Sequence, residues 1–315
     1  MEPGPGTLAR DRLLLVLAAA LWSSGSFFMR VLRDPTGLGF DEPRLTPLQI
    51  AFFRGLFAGA ILVPLLRPSQ VRFRPTMLAM VACFGLMSGL YLSALGLGPA
   101  ANAILLQNTA PFWVYIVGVY FLGERGDSRT LKAILVGVGG MLLIVVGNWL
   151  DGPPSEGSVP QSIILLMGAG SGAMYACVVL FLRSLRAESS AWLMVLNLFG
   201  GAGVLLAYVF IRFGSDETER WLTAPTLLQL ALLAVFGAVQ MAAPYWLFAR
   251  GLKTVTPHEA GIITLLEPVL NPVWAYLIAP EKETPTVWTA LGGAVLLSAL
   301  AWRYLPRGAR GKIPT

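Results

Sequence analysis

Charge is scarce in this chain. Lys, Arg, Asp and Glu together make up 13% of 315 residues, about half the roughly 25% of ordinary soluble domains. So few charges cannot cover the surface of a soluble protein this size without leaving large apolar patches, and that class is excluded. Histidine occurs once and cysteine twice, which leaves no ligand set for a zinc, haem or iron–sulfur centre. Cys83 and Cys177 both lie in apolar stretches and read as small buried hydrophobes. The formal charge is +6, but Lys and Arg are not clustered as a nucleic-acid face requires. No polar stretch exceeds about fifteen residues, so no large soluble domain fits. Neither cofactor nor metal is expected, and the expected partners are a lipid bilayer and a small-molecule substrate.

What fills the chain instead is hydrophobic: 56% of its residues, with 34 glycines besides. Spans of about 20 apolar residues cross a bilayer, and ten can be placed, at 12–33, 46–66, 75–96, 99–122, 128–148, 160–183, 190–211, 225–250, 257–280 and 285–305. The first begins after Arg10 and Arg12 like a signal peptide. Its apolar run continues through Trp22 and Phe27 to Met29, too long for that, and it reads as a retained helix. Pro47, Pro75, Pro99, Pro160, Pro225, Pro257 and Pro285 mark helix starts, where a missing N–H costs nothing. Thr46–Gln49 and Thr256–Glu259 both have the spacing of a capping box, which assigns Glu259 and His258 to helix-start duties. Gly55/Gly59 and Gly85/Gly89 have the spacing of close helix packing. Trp149, Trp221, Trp288, Trp302 and Tyr304 fall near span ends and read as interface anchors.

With ten spans both termini share a side. Sixteen of the 23 basic residues fall on that side and six on the other, with Arg54 inside a helix. Positive charge stays inside, so both termini are expected in the cytoplasm of a cell-membrane protein.

The two halves match in order. Arg30 and Arg33 end the first span as Arg183 and Arg186 end the sixth, Trp22 meets Tyr175, Ala94–Leu97 meets Ala249–Leu252, Pro111 meets Pro268, and Glu124 meets Glu281. Five spans is an odd number, so the second half enters from the opposite face: an all-α membrane fold of two inverted five-helix repeats, 12–148 and 160–305. Such repeats are a feature of alternating-access carriers, a fold-level analogy.

The stretch Tyr91–Leu143, with Ala94-Leu95-Gly96, Thr109-Ala110-Pro111 and Leu122-Gly123-Glu124-Arg125, resembles the drug/metabolite transporter superfamily, and within it the EamA-like family. The second half carries Leu266-Glu267-Pro268, Glu281, Thr284-Pro285 and Gly292-Gly293, and Arg54 also fits the pattern. Ala279-Pro280-Glu281 departs from the family's usual leucine or glycine before the glutamate. The resemblance covers about 12–305 and implies transport of amino acids or other small metabolites. It also implies that the first, third, sixth and eighth helices wall a cavity, which places Trp22, Tyr91, Tyr175 and Trp246 there.

An ionisable group at the centre of a span costs about 2.5–3.5 kcal/mol on insertion scales and is a functional candidate by default. Arg54 lies about 12 Å and Glu267 about 15 Å from opposite faces of a core about 30 Å thick, both near the midplane. Each reads as substrate binding or proton coupling, or else as a structural ion pair. Prolines inside spans free a carbonyl one turn back; Pro111 and Pro268 hold matched positions, and Pro244 and Pro272 add further breaks, so all four are gating candidates. Gln107, Asn108, Gln240, Tyr245 and Asn271 lie beside these breaks and complete the expected cavity, though each is equally able to bond a neighbouring helix. The reading is a secondary active transporter working by alternating access. A membrane-embedded enzyme lacks a catalytic constellation here, a channel lacks a charged ring, and no glycine-rich ATP-binding motif occurs outside an apolar helix.

Overall fold

The computed structural model describes residues 5–150 and 159–304, and of Pro5, Gly6, Pro257, His258 and Tyr304 the backbone alone. The expected roles of the His258 and Tyr304 side chains, and residues 1–4, 151–158 and 305–315, lie outside the described residues. Among the described residues nine helical spans are long and apolar enough to cross a membrane: Thr7–Val31, Pro47–Leu65, Thr76–Leu97, Ala100–Tyr120, Ser128–Leu150, Gln161–Ser184, Ser190–Phe213, Leu227–Gly251 and Glu259–Ile278. Val287–Arg303 is a shorter apolar helix in the tenth position. Among the described residues there is no strand. This is a multi-pass, all-α membrane fold.

Packing follows a twofold logic. If each span of the first half corresponds to the one five places later, the second and seventh pack on each other, and so do the fifth and tenth. The third packs on the sixth as the first packs on the eighth, and the fourth lies against the sixth as the ninth lies against the first. Glycines set the closest approaches. A Cβ on Gly140 would meet the Gly292 carbonyl at 2.6 Å, and one on Gly292 would meet the Gly140 carbonyl at 2.5 Å. That reciprocity is what a self-complementary contact on a twofold axis produces. The Gly85 spacing is likewise used against the seventh span, where a Cβ would strike Val204 at 2.7 Å.

Helix starts are mostly as expected. Thr46 and Gln49 form the full capping box, and Thr226 with Gln229 forms a second that the sequence reading missed. Thr256 accepts from the Glu259 N–H, but Glu259 does not reach back. Its carboxylate pairs with Arg12 at 2.5 Å instead, which corrects the second expected box. The loop after the seventh span folds into an additional helix, Ser215–Thr223. Its Trp221 packs on Phe52 and Phe53 and donates to Thr46 Oγ1 at 3.2 Å. Trp221 therefore covers the start of the second span and is not the interface anchor its position suggested. Trp288 lies over Gly147 in the fifth–tenth helix contact, not simply at an interface.

Four spans are interrupted. The fourth breaks between Gln107 and Ala110, and the ninth between Thr264 and Leu266. Each break sits one turn before a proline: Pro111 has no N–H for the Gln107 carbonyl, and Pro268 none for that of Thr264. The eighth carries a π-helical turn, Gly237–Ala242, just before Pro244, a feature frequent at functional sites. Pro272 stands inside Leu266–Ile278 without interrupting it, against the expected break. The first span also breaks, at Ser24. Ser23 and Ser24 hydroxyls turn back onto the Ala20 and Leu21 carbonyls at 2.7 and 2.6 Å, a local bond that bends helices. Its repeat counterpart, Gln161–Ser184, runs unbroken.

Candidate functional site

The interruptions of the eighth and first spans meet at Arg54. Its guanidinium donates to Gln240 Oε1 at 2.6 Å and to Ser88 Oγ at 3.0 Å, and lies 5.4 Å from the Phe236 ring centroid. Gln240 sits in the π-helical turn, and its amide also donates to the Trp22 carbonyl at 3.2 Å, just before the break in the first span. Gly25 makes that approach possible, because a Cβ there would run into the Gln240 amide. One buried arginine thus links the second, third and eighth spans, and through Gln240 the first.

A second polar group surrounds Asn271. Its Nδ2 donates to Tyr91 Oη at 3.3 Å, and its carbonyl accepts from Ser26 Oγ at 2.5 Å. Trp274, one turn on, donates to Ser23 Oγ at 2.9 Å. Trp22 meets Tyr245 edge to face, with centroids 5.3 Å apart. Asn271 reaches Tyr91 one helical turn from Ser88, the partner of Arg54 on the third span, and Tyr245 meets Trp22, whose carbonyl accepts from Gln240, so the two polar groups adjoin.

The centre is incomplete in three places. Arg54 Nε and Asn271 Oδ1 are buried without a hydrogen-bond partner. Glu267, partly buried in the first turn after the ninth-span break, has no ion-pair or hydrogen-bond partner among the described residues. Arg54 and Glu267 do not pair with each other. A buried charge without a counter-charge is costly, and Arg54 is held that way, while Glu267 is partly buried.

Not every expected residue joins this centre. Asn108 donates to the Ile104 carbonyl at 2.9 Å and closes the fourth-span break, beside a partly buried Gln107. Trp246 is 44% exposed, with the Arg250 guanidinium stacked 3.6 Å from its ring centroid. Tyr175 is 42% exposed and lines a separate cavity. Pro268 and Pro244 are buried, while Pro111 is partly buried and its carbonyl accepts from Arg303 at 2.9 Å. Ser23, Ser26, Ser88 and Trp274 belong to the centre and were missed. Only Ser88, one helical turn before Tyr91, carried a positional signal.

Two ion pairs stand at opposite ends of the bundle. Arg30, at the end of the first span, pairs with Glu283 after the ninth, and both are almost fully buried. Arg30 also donates to the Leu95 and Gly98 carbonyls at 3.1 and 2.6 Å, and Glu283 accepts from the Ala100 N–H at 2.8 Å. Asp34 and Lys282 add a neighbouring pair. Burial raises the Glu283 carboxyl pKa, outweighing the opposing pull of Arg30 and the Ala100 N–H. At the other end Arg183 pairs with Glu124 at 2.6 Å, with side chains 51% and 43% exposed.

The model of the EamA-like transporter family matches the chain twice, over 12–146 and 162–304. The chain belongs to this family. A chain from Archaeoglobus fulgidus, described as an uncharacterized transporter, is 30% identical over 292 residues, covering 92% of this chain and 95% of that one. The S-adenosylmethionine uptake transporter of Rickettsia bellii is 26% identical over 81% of this chain and 82% of its own. The pseudopaline exporter CntI of Pseudomonas aeruginosa is 26% identical over 81% and 85%. A solved crystal structure superposes with a TM-score of 0.60 at 17% identity, covering 94% of this chain and 96% of that one, and supports the fold alone. The EamA-like relatives named for an activity are transporters, among them both an importer and an exporter.

Proposed function

We propose that this EamA-like protein is a secondary active transporter that moves a small zwitterionic metabolite, an amino acid or similar compound, by alternating access. The observation that carries the reading is the unequal state of two equivalent ion pairs. Arg30–Glu283 and Arg183–Glu124 each join the end of a repeat's first span to the loop after the other repeat's fourth. One is buried in a network with backbone groups, and the other stands in water. In an inverted repeat such a difference means that one face is closed while the other is loosened. The straight third–sixth contact and the broken first–eighth contact differ in the same sense. The pairing supports a division into two repeats, 12–148 and 160–305.

The substrate class follows from the unpaired charges. A ligand with an anionic group for Arg54 and a cationic one for Glu267 supplies both missing counter-charges, and Asn271 Oδ1 is free to accept an ammonium hydrogen. The sixteen-to-six distribution of basic residues supports cytoplasmic termini, which makes the Arg183–Glu124 end the cytoplasmic one. Reporter fusions at Thr315 and within 150–159 then give opposite sides, and matching signals overturn the topology. In proteoliposomes, a carrier saturates and shows counterflow of preloaded zwitterion; passage at high rate without counterflow would make the protein a channel.

A further inference from the structure

A cavity of about 400 Å³ lies between the third, sixth and seventh spans. Its walls are apolar, with Phe84, Met87, Val178, Met194 and Leu198 among them, and it extends to Arg186 and Glu188 on the terminal side of the bundle. Two features set it apart from a packing gap. Tyr245 lines it, and the same Tyr245 meets Trp22 edge to face; the Trp22 carbonyl accepts from Gln240, the partner of Arg54. The cavity therefore adjoins the polar centre. Asn197 also lines it, 5% exposed, and no hydrogen bond from its amide is present among the described residues. Its Oδ1 is buried and unpartnered.

A buried amide oxygen left unsatisfied costs about 1–3 kcal/mol. Leu193, Met194 and Leu198 share this face of the seventh span with Asn197 and leave the amide directed among apolar neighbours. Water alone gains little from such walls, whereas a mostly apolar cavity with one convergent polar group is the usual form of a ligand site, and about 400 Å³ falls in the usual range of about 300–1,000 Å³. Met87 and Met194 supply surfaces that adapt to ring shape.

We infer that this cavity is the compartment for the apolar body of the substrate, selecting a flat or aromatic group that carries one neutral N–H or O–H donor for Asn197 Oδ1. The inference rests on the zwitterion reading for the head group at Arg54 and Glu267, and adds a requirement at the other end of the molecule. The cargo is then amphipathic: charged at the centre, apolar toward the terminal side, with a single donor on the apolar part.

Thermal-shift titrations of the purified full chain with indole, 1-methylindole and indole-3-propionate test both ends separately. Wild-type protein is expected to bind indole at least fivefold more tightly than 1-methylindole, in which a methyl group replaces the donor hydrogen. Asn197→Leu erases that preference, and Met194→Trp, which fills the cavity, abolishes the indole shift. Indole-3-propionate adds a carboxylate, and its advantage over indole disappears in Arg54→Gln. Equal binding of indole and 1-methylindole by wild-type protein, or an indole preference that survives Asn197→Leu, overturns the cavity assignment whatever the carboxylate does. An indole preference that holds while Arg54→Gln changes nothing leaves the cavity standing and removes the head-group reading.

Discussion

Arg54 donates to Gln240 at 2.6 Å across 186 positions of sequence, and the carboxylate of Glu267 stays outside that contact. The arginine is thus held by a neutral acceptor, with its charge left for something else. A carboxylate in place of the amide would satisfy it permanently. Gln240→Glu is expected to add a charge-assisted bond of about 1.5–3 kcal/mol and to raise the melting temperature by a few degrees. Substrate counterflow falls at least tenfold in the same variant. A stabilised protein with normal counterflow would make Arg54 a structural residue.

Glu283 gives a pH signature. Burial raises its carboxyl pKa, with Arg30 and Asp34 around it and Lys282 beside it. A carboxyl whose folded value is raised binds its proton more tightly in the folded chain. Its contribution to stability is fully present below the ordinary carboxylate range and is lost as pH rises through the raised value. The melting-temperature difference between wild type and Glu283→Gln, followed from pH 4 to pH 8, should shift toward the wild type on acidification. A shift toward the wild type on alkalinisation would mean that pairing with Arg30 governs this group and burial does not.

The Gly140–Gly292 contact admits a direct test of the twofold packing. Gly140→Val meets backbone on the tenth span and is expected to cost about 2–3 kcal/mol, at the upper end of overpacking effects. Gly139→Val, next to it but open to its surroundings, is expected to be neutral. Unfolding curves of the two variants decide, and equal stabilities would remove the close fifth–tenth contact.

The cysteines report on the third–sixth contact. Cys83 on the third span and Cys177 on the sixth neighbour each other where the two spans pack, and these are the two cysteines of the chain. Copper-phenanthroline oxidation is expected to remove both from maleimide labelling and to slow counterflow at least fivefold. Restoration by dithiothreitol separates this from damage. Complete cross-linking with unchanged counterflow would show that the third and sixth spans move as one body.

Much of this arrangement was legible beforehand because its causes are local. Apolar runs gave ten spans, and prolines one turn beyond Gln107 and Thr264 gave the paired breaks. What escaped depends on contacts between distant segments. Nothing near Arg54 in sequence distinguishes Gln240 from Glu267 as its partner; the packing of the second span on the eighth decides that. Ser23 and Ser24 bend the first span by bonding their own backbone, while Ser171, in the straight sixth span, bonds the Gly168 carbonyl at 2.7 Å without a break. The same residue type gives both outcomes, so tertiary packing selects between them. The repeat alignment paired Glu124 with Glu281, yet the buried ion pair uses Glu283, two residues on, because the single helical turn Pro280–Glu283 rotates that side chain inward.

Glu267 remains the residue on which mechanism turns. It opens the helix that resumes after the ninth-span break, where exposed N–H groups favour an anion. It is followed by Pro268 and has no fixed partner among the described residues. Because Arg54 is engaged with Gln240 and Ser88, Glu267 has no ion pair, and under the carrier mechanism proposed above its carboxyl is the candidate to carry a proton while the segment after the break repacks. Glu267→Gln keeps size and hydrogen bonding while removing the charge. Uptake driven by a pH gradient is expected to fall at least tenfold in this variant, while exchange at equal pH survives. Loss of both activities in a normally folded protein would place Glu267 in substrate binding, as the counter-charge of the zwitterion's cationic group. Wild-type rates in both assays would return it to a structural role at the helix start, and the proton-coupling idea would be abandoned.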